Sequence, residues 1–157
     1  MEVQKSQKGA NSFVMRRKIY QKLLDWKEKR NGEVALLIEG ARRIGKSYIV
    51  EAFGKKEYKS YLLIDFNKAP EMVREWFDLY LDDLDTLFLY LSQHYKVRLH
   101  ERNSLIILDE IQLCPRARAA IKFLVADGRF DYIETGSLVS IKKNTRSIVL
   151  PSEERSI

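Results

Sequence analysis

The chain has 157 residues, 45% of them hydrophobic and 32% charged, which is enough for one domain with a sizeable core. No apolar run approaches the roughly 20 residues of a membrane helix, and the polar start, Met1 to Gly9, carries no secretory pattern, so neither a membrane partner nor export is expected. The net charge of +6 permits weak attraction to nucleic acid, the lone Cys114 excludes an internal disulfide and fits a reducing cytoplasm, and His94 and His100 are too few for a His/Cys metal cluster.

In chain order, residues 1–14 read as a flexible, polar N-terminal arm, and 15–157 as a single core. Ile19, Leu23, Leu24 and Trp26 recur at near-helical spacing, predicting an amphipathic helix from Arg16 to Lys29 that Asn31-Gly32 ends. Val34 to Ile38 is an apolar run and predicts a first strand. Tyr48 to Phe53 suits a helix, with Gly54 as its terminator. Tyr61 to Phe66 predicts a second strand.

Pro70 opens a helical region reaching about His100. Leu84, Leu87, Phe88, Leu91 and Tyr95 share one face there, and Asp82-Asp83 separates two helices and caps the second. Leu105 to Leu108, followed by Asp109 and Glu110, predicts a buried parallel strand tipped by acids. Pro115 suits a helix start, Ala119, Ala120, Phe123 and Leu124 its buried stripe, and Gly128 its end. Phe130 to Thr135 predicts a fourth strand, and Ile148 to Leu150 a short fifth. Strands alternating with helices imply an α/β fold with a parallel sheet.

The most informative stretch is Gly40-Ala41-Arg42-Arg43-Ile44-Gly45-Lys46-Ser47, the pattern G-x-x-x-x-G-K-[ST] between a predicted strand and a predicted helix. Glycines let the backbone curl with its N–H groups inward. Those donors and the positive end of the next helix then surround a β-phosphate. Lys46 would reach the β- and γ-phosphates and the Ser47 hydroxyl would ligate Mg²⁺, so Gly40 to Tyr48 is the expected ATP-binding segment. The acid pair strengthens this reading. Acids at the carboxyl end of a central strand lie where open α/β sheets bind ligands. Asp109 would hold Mg²⁺ with Ser47, and Glu110 would orient and polarise an attacking water. One strand–helix unit lies between the loop strand and the acid-tipped strand. That spacing marks the additional-strand, catalytic-glutamate branch of P-loop NTPases: a three-layer sandwich with a five-stranded parallel sheet, order 5-1-4-3-2.

The loop together with residues 61–67, 104–115 and 131–137 resembles a family of prokaryotic AAA-type ATPases, whose ATPase core is followed by a long C-terminal domain of uncertain function. The resemblance covers roughly Met15 to Glu154. It implies that a polar sensor of the γ-phosphate stands at the end of the fourth strand, at Thr135 or Ser137, and that Arg146 reaches a neighbouring subunit's nucleotide in a homo-oligomer. It also implies a helical lid after the fifth strand. With the chain ending at Ile157, the lid and the C-terminal domain are expected to be absent.

Two functions lead, and a third, a small-molecule kinase, is disfavoured because Asp109-Glu110 points to activation of water. One is Mg-dependent ATP hydrolysis by an AAA-type core. The other is a nucleotide-regulated binding module for DNA or protein, with ATP or ADP as a ligand. Basic pairs such as Lys55-Lys56 and Lys142-Lys143 read as solvated faces, so a nucleic-acid partner is permitted but not indicated.

Overall fold

The computed structural model describes the backbone of residues 2–40, 46–137 and 153–156, and the side chains of residues 14, 16–40 and 46–136. Helix α1 (Glu2–Arg30) leads into β1 (Ala35–Gly40). Then come α2 (Lys46–Glu57), β2 (Ser60–Asp65), α3 (Glu71–Leu79), α4 (Leu84–Tyr95) and β3 (Ser104–Asp109). A 3₁₀ turn (Ile111–Leu113), α5 (Pro115–Asp127), β4 (Asp131–Ser137) and β5 (Glu153–Ser156) complete the order. Strands β2, β3, β4 and β1 lie side by side and are all parallel, and the β5 backbone pairs in parallel with β1 on its other edge.

Parallel pairing requires a crossover between successive strands, and here helices supply it on both faces. The pleat divides the strand residues between two cores. Leu36, Ile38, Leu105, Ile107 and Ile133 pack with Ile19, Leu23 and Trp26 of α1 and Ile49, Val50 and Phe53 of α2. Leu37, Leu62, Ile64, Ile106, Leu108 and Tyr132 face the other way, against α3, α4 and α5. Burial on both faces explains the unbroken apolar runs of β1 and β3.

Several boundaries match local chemistry. Asn31 (φ 45°) and Gly32 (φ 85°) take left-handed conformations after α1. Asp83 caps α4 by accepting the Thr86 N–H at 3.2 Å. Pro115 sits in the first turn of α5, and Gly128 (φ 80°) follows its end. Cys114 is buried among apolar side chains, and that burial pushes its thiol pKa up.

Other expectations need correction. The helix predicted from Arg16 begins at Glu2. The segment holds no proline, and Gln, Lys, Glu and Ala are good helix formers. Gly54 does not end α2. It lies buried inside that helix, where a Cβ would stand 3.0 Å from Tyr61 Cβ and 3.2 Å from Leu105 Cδ2. Glycine there serves close helix–sheet approach, not termination. The buried stripe of α5 is rotated from the predicted one. Ala117, Arg118, Ala120, Ile121, Leu124 and Val125 are inside, while Ala119 and Phe123 are exposed. The fifth strand expected at residues 148–150 falls outside the described residues, and the backbone that pairs with β1 is Glu153–Ser156. Among the described residues, no helix is long and apolar enough to cross a membrane.

Candidate functional site

The carboxyl ends of β1, β3 and β4 and the start of α2 converge on one set of polar side chains. Register places them there: Gly40 at the end of β1 pairs with Ser137 of β4, and Asp109 ends β3 beside Asp65 of β2. Helix α2 begins at Lys46, so its first turn points its amide end at this edge.

Asp109 is the hub. Its Oδ1 accepts the Ser47 hydroxyl at 2.7 Å and the Thr135 hydroxyl at 2.5 Å. Asp109 is only 8% exposed and Thr135 fully buried, so these bonds are shielded from water. Thr135 also accepts the Glu110 N–H at 3.3 Å, so one hydroxyl ties both acids to β4. Glu110 lies just past the strand at φ 56°, a conformation that non-glycine residues rarely adopt. Its carbonyl accepts the Leu113 N–H at 3.0 Å, which closes the 3₁₀ turn.

Lys46 is 5% exposed. Its ammonium donates to the Gly40 carbonyl at 2.9 Å and to the Gly136 carbonyl, spanning the gap between the ends of β1 and β4. Tyr48, the next residue outward, is 68% exposed, with the Arg16 guanidinium 5.7 Å from its ring centroid.

Of the residues singled out by sequence, Gly40, Lys46, Ser47, Asp109, Glu110 and Thr135 therefore gather at one edge, with Tyr48 beside them. Ala41, Arg42, Arg43, Ile44, Gly45 and Arg146 lie outside the described residues, as does the side chain of Ser137. Two features were not anticipated. Gln112 donates its side-chain amide to Glu110 Oε2. Arg118 of α5 pairs with Glu134 of β4 at 2.8 Å, with side-chain exposures of 8% and 0%. The second was signalled by an arginine on an apolar helix face and a glutamate inside an apolar strand.

The donor set suits a hard cation. Ser47 and Asp109 offer oxygens from two elements at hydrogen-bonding distance. Mg²⁺ takes oxygen ligands, keeps several waters and needs only one or two carboxylates beside substrate phosphates. A cluster of three or more His, Cys, Asp or Glu is absent among the described residues, and a phosphate-linked Mg²⁺ site does not require one.

A family model described as an AAA domain matches residues 33–152. The structure of C. elegans PCH-2 matches with a TM-score of 0.48 and 11% identity, covering 90% of this chain. This chain spans 41% of the length of that one. No curated protein matches the sequence.

Proposed function

The chain belongs to the AAA domain family, and we propose that it binds ATP with magnesium at the carboxyl edge of the sheet and hydrolyses the γ-phosphate. The observation that carries this is the convergence of the Ser47 and Thr135 hydroxyls on Asp109 Oδ1, with Glu110 tied to the same threonine. This is the arrangement of acids that a phosphoryl-transfer site needs beside a phosphate loop. The order β5-β1-β4-β3-β2 supports placing the chain in the catalytic-glutamate branch, with the five-stranded order 5-1-4-3-2.

Ser47 and Asp109 would hold Mg²⁺, which neutralises charge developing on the phosphates. Gly40 to Ser47 would wrap the phosphates, and Lys46 would exchange its carbonyl partners for phosphate oxygens. Glu110 would take a proton from water as the water oxygen bonds to the γ-phosphorus. The bridging P–O bond breaks, and ADP leaves with the electron pair. Thr135 ties the Asp109 carboxylate and the Glu110 backbone to β4, and it or Ser137 would report the γ-phosphate. We place Arg146 as a contact to a neighbouring copy's nucleotide in a homo-oligomer, and the protein in the cytoplasm, where a lone thiol stays reduced.

Calorimetric titration with ATP, with and without magnesium, tests the binding half. Phosphate release tests the chemistry. Magnesium-dependent binding with no phosphate release would make the nucleotide a regulatory ligand of a binding module. Absence of binding would remove the reading altogether.

A further inference from the structure

Gln112 sits at the centre of the 3₁₀ turn, two residues past Glu110. Its Nε2 donates to Glu110 Oε2. A carboxylate can only accept, so the amide nitrogen must face it, and the amide oxygen is turned the other way. That oxygen, Gln112 Oε1, is buried and has no hydrogen-bond partner among the described residues. A buried acceptor without a donor is costly, and such an atom is retained where something else supplies the proton.

Glu110 is thus held from three sides. Thr135 takes its N–H, Leu113 donates to its C=O, and Gln112 grips its carboxylate. Left-handed strain at a non-glycine residue persists only where its surroundings over-determine it. Thr135 and Leu113 secure the backbone, and Gln112 supplies the hydrogen bond on the side chain.

We propose that Gln112 is the positioning residue for the general base of this site. Its amide nitrogen fixes the rotamer of Glu110 by engaging Oε2, which presents Oε1 to the attacking water. In the hydrolytic step the water gives one proton to Glu110, and Gln112 neither gains nor loses one. This inference rests on the ATPase reading for its catalytic consequence, but the Gln112–Glu110 contact itself does not.

Two measurements test it. The first is Gln112→Met, which keeps length and removes both donor and acceptor. The expected result is an unchanged melting temperature, ATP·Mg affinity within about twofold, and turnover reduced about tenfold or more, the signature of a contact made in the transition state. In a Glu110→Gln background the same change should cost nothing further, because the base it positions is gone. Unchanged turnover, or an equal loss in both backgrounds, would overturn the proposal. The second measurement needs no hydrolysis. In nucleotide-free protein, the side-chain amide protons of Gln112, assigned by their loss in Gln112→Met, should shift when Glu110 is replaced by alanine. Amide signals indifferent to Glu110→Ala would overturn the contact. A wild-type protein that shows the shift yet never releases phosphate would instead overturn the ATPase reading.

Discussion

Thr135 gives its hydroxyl proton to Asp109 Oδ1 at 2.5 Å, from the neighbouring strand and inside the protein. The same oxygen atom of Thr135 receives the Glu110 N–H. Thr135→Val keeps the shape and loses both bonds. It should destabilise the fold by about 1–3 kcal/mol, the scale of leaving a buried polar group unsatisfied. It should also raise the magnesium concentration needed for half-maximal nucleotide binding, because Asp109 loses one of its two anchors. Thr135→Ser should restore most of both. Denaturant unfolding and a magnesium titration check this. Equal behaviour of the valine and serine variants would show that the hydroxyl does not hold the acids.

One substitution, read by two measurements, tests both the bridging contacts of Lys46 and its proposed contact with phosphates. Its ammonium bridges the Gly40 and Gly136 carbonyls, joining the ends of β1 and β4. In the nucleotide complex it would meet phosphates instead. Lys46→Ala should therefore lower the melting temperature of the nucleotide-free protein and also weaken ATP binding about tenfold or more, the scale of one charge-assisted contact. Calorimetry showing wild-type affinity in the variant would remove Lys46 from the phosphate site.

Glu110→Gln should leave nucleotide affinity near that of the wild type and reduce phosphate release by roughly 10²–10⁴-fold, the usual worth of a positioned general base. The amide keeps the volume and loses the basic oxygen. Asp109→Asn should differ by acting on magnesium dependence, since Asp109 faces Ser47. Single-turnover phosphate release separates the two. Wild-type turnover by Glu110→Gln would assign the base elsewhere.

Much of this was legible because the strands are buried on both faces. The run Leu105 to Leu108 ending in two acids reads as a central strand without help from tertiary structure. The phosphate-loop pattern and the acids then point to one edge, where the structure gathers Lys46, Ser47, Asp109 and Thr135. What was not legible depends on partners distant in sequence. Gly54 looks like a terminator until Tyr61 and Leu105 are seen to crowd it. The stripe Ala119, Ala120, Phe123 and Leu124 satisfies helical spacing as well as the true one. The buried face centres instead on Ala117, Ile121 and Val125, which pack in the core, and it carries Arg118 to Glu134. Gln112 lies near Glu110 in sequence, but only the left-handed turn at Glu110 makes them touch.

Gly54→Ala tests the reading of that glycine. Alanine in a helix interior normally gains about 1 kcal/mol over glycine. Here the new methyl would lie 3.0 Å from Tyr61 Cβ, an atom fixed to the β2 backbone. Overpacking of this kind costs about 1–3 kcal/mol. The balance should be a lower melting temperature, and Gly54→Val should be worse. A stabilised alanine variant would mean that α2 can lift off the sheet cheaply.

The Arg118–Glu134 pair offers the sharpest stability test, because its partners come from α5 and β4 and both are buried. Both side chains are withdrawn from water, so the ion pair is part of what solvates each charge. Replacing Arg118 alone by methionine leaves the Glu134 carboxylate inside the sheet–helix interface without the guanidinium. The cost should be about 3–5 kcal/mol. Replacing both, Arg118→Met with Glu134→Leu, removes the two desolvation penalties together and fills the space with apolar atoms. The double variant should recover most of the loss and could exceed the wild type, since buried pairs often do no better than well-packed hydrophobes. The double-mutant cycle, measured by denaturant unfolding, should give a coupling of about 2 kcal/mol or more. Additive single losses would show that the two charges are solvated independently. Glu134 precedes Thr135 on β4, so the same double variant should also be assayed for ATP binding. An intact affinity would separate the strand's structural pair from the acids that its next residue holds.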